Sequence, residues 1–134
     1  MKLFTLAAVA ALSALALPAV ASAEEKMTYD TLMHCAAFNK VVGDAMGSGA
    51  DAEKNKAKAE TFNNQSVSLM AIAAVGDNKT AEQVLADLTK RTEGVLTAMI
   101  DKTSGTDYIK TNYEKCNVMG QAAVQVVEES KKKN

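Results

Sequence analysis

The chain is poor in the residues on which most catalytic and metal chemistry depends. It has one histidine, His34, two cysteines, Cys35 and Cys116, and one proline, Pro18. With a single histidine, any Ser-His-Asp or Cys-His arrangement has only His34 to serve as its base. No G-x-S-x-G, no phosphate-binding glycine loop and no H-E-x-x-H occurs in the sequence. The cysteines do not form a C-x-x-C pair, and neither Cys35-Ala36-Ala37-Phe38 nor Cys116-Asn117-Val118-Met119 carries the C-x-x-C-H of covalent haem. A carboxylate-bridged di-iron bundle needs Glu-x-x-His, and Thr31 stands where that glutamate would be. The carboxylate pairs Glu24-Glu25 and Glu128-Glu129 fall at the chain ends, where no pocket would tune them. No basic stripe with interleaved aromatics is present, so nucleic acid is not an expected partner. Catalysis is not expected.

What is present begins with an export signal. Lys2 supplies a short basic region, Leu3 to Leu17 is nearly unbroken Leu, Ala and Val, and Pro18 breaks the run. Ala21-Ser22-Ala23 then gives the small-x-small pattern that signal peptidase cuts. The apolar run is short of the ~20 residues of a membrane span. The expected division is therefore a cleaved leader over 1–23 and a single helical domain with frayed ends over 24–134, soluble and periplasmic. Removing Lys2 with the leader leaves 111 of the 134 residues, with 14 Lys+Arg against 16 Asp+Glu, a formal charge of −2. Lys131-Lys132-Lys133 suits the negative end of a helix but is too short a basic run for stable membrane anchoring.

Two cysteines in an exported chain predict one disulfide, Cys35–Cys116. The rest of the expected domain contains no proline, is rich in alanine and shows little strand-like alternation. That pattern predicts an all-α fold. A first helix starts near Thr28 or Asp30, carries Leu32, Cys35, Ala36, Val42 and Met46 as a stripe, and ends at Gly47-Ser48-Gly49. A second runs from about Asp51 to Val75 with Gly76 as its stop; its first half, to Glu60, offers only alanines, while Val67 to Val75 is apolar nearly all round. The third opens on Thr80-Ala81-Glu82-Gln83, a capping box, and carries Val84, Leu85, Leu88, Val95, Leu96, Met99 and Ile100. Gly94 within it suggests a close helix approach or, alternatively, a mild kink. The fourth begins near Ser104 or Thr106 and reaches about Glu129 through Ile109, Tyr113, Cys116, Met119, Gly120, Ala123, Val126 and Val127.

Short connections predict an antiparallel four-helix bundle, up-down-up-down, with first and last helices joined by the disulfide. Bridged cysteines need Cα atoms ~4.4–6.8 Å apart, closer than the ~8–10 Å of ordinary helix packing. Ala36, Ala37 and Gly120 are small enough to permit that crowding.

His34 is the one residue with ligand chemistry. Asp30, four residues earlier, is placed to pair with it as a surface contact. The sharper alternative is a cofactor carrier: haem with His34 facing Met119 or another residue of the fourth helix, or copper held by Met33, His34 and another of the six methionines of the expected domain. Scattered methionines more often fill gaps in a core. No cofactor, metal or catalytic residue is therefore expected. The expected role is a non-catalytic binding protein: an envelope stress protein, an inhibitor or immunity-type protein, or an accessory subunit. Its expected partner is another protein; Val67 to Val75 is expected to be buried within the domain, with homodimer contact through that region as the alternative.

Overall fold

A computed structural model describes residues 27–134. The leader expected over 1–23 lies outside the described residues. Four α-helices follow in order: α1, Tyr29–Met46; α2, Ala52–Gly76; α3, Ala81–Ile100; and α4, Gly105–Lys132. No strand occurs among the described residues. All four helices lie within a few residues of where the caps and glycines put them.

The starts are made locally. The Thr28 hydroxyl accepts the Thr31 amide at 3.2 Å, and the Thr31 hydroxyl reaches back to the Thr28 amide at 3.0 Å. The Thr80–Gln83 capping box forms as the sequence predicts, with bonds of 3.2 and 2.9 Å. Each box satisfies amides that a helix start leaves without partners. Between α3 and α4 the turn is held by Asp101, which sequence reasoning passed over; Ser104, the N-cap of α4, makes no side-chain capping bond of its own. The Asp101 carboxylate accepts the amides of Thr103 (2.9 Å) and Ser104 (2.8 Å) and the Ser104 hydroxyl (3.0 Å).

Those bonds hold the Asp101 carboxyl below its ordinary value of 3.8. Hydrogen bonding and the charge of Arg91 do the same for Asp30. A folded value below the unfolded one gives stability that is complete above the unfolded value and is lost as pH falls through the folded one. The urea midpoint should therefore decline below about pH 4. In Asp101→Asn and Asp30→Asn the decline should be shallower than in wild type, and an unchanged slope in both would count against these two bonds.

Helix α1 sits at the centre and touches each of the other three, whereas α2 and α3 barely meet. It buries Leu32, Met33, Cys35, Ala36, Ala37, Phe38, Asn39 and Gly43, far more than one stripe. Helices α1 and α2 are an antiparallel pair: Ala36 meets Ser66, Asn39 meets Gln65, and Gly43 lies against Asn63 and Ala59. Along α4 the sense differs. His34 meets Asn112 and Asn39 lies against Gly120, while on α2 Phe62 meets Tyr113 and Gln65 meets Asn117. Because α1 and α2 run in opposite directions, α4 keeps that order with both only by lying across them. At the crossing Cys35 and Cys116 are bonded, with Cα atoms 4.9 Å apart and both side chains buried.

Helix α3 is held chiefly against α1. Arg91 donates to Asp87 at 3.0 Å and to Asp30 of α1 at 2.5 Å. The Tyr29 ring is within cation–π range of both Lys79 (5.0 Å) and Arg91 (5.9 Å). Only Val84, Leu88 and Val95 of α3 are buried in the core. A Cβ at Gly94 would meet open space, so the close approach expected there does not occur. Glycine in a helix interior costs ~0.5–1 kcal/mol against alanine. Gly94→Ala should raise the unfolding free energy by about that amount in urea titration.

Candidate functional site

His34 is half-buried, and its Nε2 stands 2.9 Å from Asn112 Oδ1. The Asn112 Nδ2 donates to the Tyr108 carbonyl at 2.8 Å, which makes Oδ1 the acceptor and places a hydrogen on His34 Nε2. The ring meets Tyr108 edge-on at 6.2 Å. The Asp30 carboxylate goes to Arg91 rather than accepting a hydrogen bond from His34, because α3 offers a guanidinium within reach. Met33 and Met119 are core residues. A haem or copper ion taken through Nε2 would have to break the Asn112 bond. Among the described residues no group of three or more His, Cys, Asp or Glu side chains is placed to hold a metal.

Beside the disulfide lies a polar cluster that sequence reasoning missed. Asn39 is fully buried and its Nδ2 donates to Gln65 Oε1 (3.1 Å) and to the Cys116 carbonyl (3.0 Å). Gln65 Nε2 donates to Asn117 Oδ1 at 3.0 Å, and the Ser66 hydroxyl to the Ala36 carbonyl at 2.7 Å. Three helices are thereby tied at one point. Asn39 Oδ1 is buried without a partner, the one such side-chain atom among the described residues. A signal was present: Asn39 lies four residues after Cys35 and Asn112 four before Cys116, which puts both on the clamped faces. A Cβ on Gly120 would stand 2.7 Å from both amide side chains, so this cluster is closed to ligand. Its chemistry is registration of helices, not catalysis.

Outside, an open groove of about 260 Å³ runs between α2 and α4, lined by Ala57, Lys58, Thr61, Phe62, Tyr113 and Asn117. Two surface stripes are apolar. On α2, Leu69, Ile72 and Ala73 face the core, leaving Val67 (59% exposed), Ala71 and Val75 (49%) outside. On α3, Leu85 (54%), Leu96 (50%) and Ile100 (70%) are exposed, with Thr89 and Thr92 between them on the same face. The sequence predicted all three α3 aliphatics to be part of the buried stripe. They are not, because the other helices cover α3 on one narrow side only, the side of Val84, Leu88 and Val95.

No protein-family model, curated protein or solved structure matches this chain. Among the described residues no helix is long and apolar enough to cross a membrane.

Proposed function

We propose that this is an exported, non-catalytic binding protein whose outer α3 face engages another polypeptide. The observation that carries the reading is the exposure of Leu85, Leu96 and Ile100 on one face of a single helix. Each leaves apolar surface in water at about 25 cal/mol per Å², which a partner would recover. Exposed aliphatics aligned on one helical face, here Leu85, Leu96 and Ile100 with Thr89 and Thr92 between them, form a larger apolar-edged patch than single scattered residues do. The leader pattern and the disulfide support export. Helix α3 is also held against α1 by a polar clasp, which fixes the face without covering it.

The test is photo-crosslinking in the cell of origin, with a photoreactive residue in place of Leu96 and, as control, of Lys54 on the solvated start of α2. A discrete crosslinked species from position 96 and none from position 54 is expected, its composition read by mass spectrometry. Equal products from both sites, or none from positions 85, 96 and 100, would overturn the binding reading.

A further inference from the structure

We infer that the partner of this face is a second copy of the chain, the two α3 helices packing antiparallel. The inference rests on the reading of α3 as the binding face and names what covers it. The surface residues of that face are Ala81, Leu85, Thr89, Thr92, Leu96 and Ile100, all exposed except the half-buried Thr92. Their spacing is 4-4-3-4-4, which reads the same in both directions. Steps of three and four keep residues on one helical face. A two-fold axis at the level between Lys90 and Arg91 then sets Leu85 opposite Leu96 of the second copy, Thr89 opposite Thr92, and Ala81 opposite Ile100. Leucine meets leucine twice, threonine meets threonine twice, and the most exposed aliphatic, Ile100, meets the smallest side chain of the face, Ala81. An isologous interface requires that each residue and its symmetry mate suit one another, and this face meets that requirement without a substitution.

Two further observations support a self-pairing surface. The hydroxyls of Thr89 and Thr92 are turned inward: Thr89 Oγ1 donates to the Leu85 carbonyl at 3.0 Å and Thr92 Oγ1 to the Thr89 carbonyl at 2.7 Å. Their donor hydrogens are satisfied within α3, so burying these threonines at a contact leaves no orphaned O–H. Charge is also complementary. Lys90 and Glu93 are both exposed on the same flank of the face. In antiparallel helices related by the two-fold axis, like flanks lie side by side, so Lys90 of each copy comes beside Glu93 of the other. A parallel pair would set this flank against the side that holds Leu88 and Val95, which is already buried.

Sedimentation of the full exported chain over a range of concentrations tests the inference. A monomer–dimer equilibrium is expected. Leu96→Asp should weaken it by at least about tenfold, with an unchanged helical circular dichroism spectrum to show that the monomer still folds. Lys90→Glu and Glu93→Lys should each weaken it by about threefold, and the double exchange should restore it, because the pair is then reversed and intact. Val75→Asp on α2 should leave it unchanged. A protein that stays monomeric, a dimer lost with Val75→Asp and kept with Leu96→Asp, or a double exchange no better than the single ones would overturn the self-association. A crosslink from position 96 to a protein of different composition would overturn the second copy as occupant and leave the binding face standing; no crosslink from α3 would remove both.

Discussion

Replacing both cysteines by alanine should lower the unfolding free energy by about 4–5 kcal/mol, the largest single effect expected in this protein. The bond spans 81 positions and closes nearly the whole span of the four helices. In the chain-entropy account a loop of that length removes ~15 cal/mol/K from the unfolded ensemble, or ~4.5 kcal/mol at 25 °C. A domain of this size is stable by only ~5–15 kcal/mol, so the loss consumes a large share of the total. The melting temperature of Cys35→Ala/Cys116→Ala should fall by about 15–25 °C, measured by circular dichroism beside the oxidised wild type. Alanine is the informative replacement because both positions are fully buried, and a serine hydroxyl there would need a partner of its own. A fall of less than about 5 °C would mean that the crossing of α1 and α4 holds without the bond.

The second large effect concerns a single hydrogen atom at the same crossing. Gly120→Ala should destabilise by about 2–4 kcal/mol, although alanine is the better helix former by ~1 kcal/mol. The added methyl would stand 2.7 Å from Asn39 Nδ2, from Gln65 Cβ and from Gln65 Oε1, in a place where nothing can yield cheaply. Asn39 is held by Gln65 and by the Cys116 carbonyl, so moving it breaks two buried hydrogen bonds. Each buried polar group left unpaired costs ~1–3 kcal/mol, and overpacking alone costs a similar amount. The comparison with Gly94→Ala is what makes the measurement decisive. The same substitution in a helix interior should stabilise at position 94 and destabilise at position 120, and equal effects at both would show that the two glycines are read wrongly. Urea titration at neutral pH gives both numbers on one scale.

Several features were legible before any coordinates. The capping box at Thr80, the glycine stop after Met46 and the Cys35–Cys116 bond all follow from neighbouring residues or from cysteine parity, and all are observed. Gly120 was legible as a small residue at the clamp. What failed had a common cause. Leu85, Leu96 and Ile100 fall on a periodic stripe as readily as Val84, Leu88 and Val95 do, and periodicity does not say how wide the covered side of a helix is. Ser68 is the one polar residue of the apolar run from Val67 to Val75, yet it is buried while Val67 and Val75 at the ends of that run are exposed. His34 looked placed for Asp30 by its spacing, yet Asn112 and Arg91 claim the two side chains from other helices.

The sequence by itself determined the helices, their ends and the bond that joins the first to the last. Hydrogen bonds four residues apart, caps three residues apart and two cysteines need no knowledge of distant neighbours. Only the tertiary structure decided which apolar residues are inside, which glycine is crowded and which polar groups meet. Those outcomes depend on α4 lying across the α1–α2 pair and on α3 being covered along one side. Burial is a property of the partner surface as much as of the residue, and here that surface comes from residues tens of positions away.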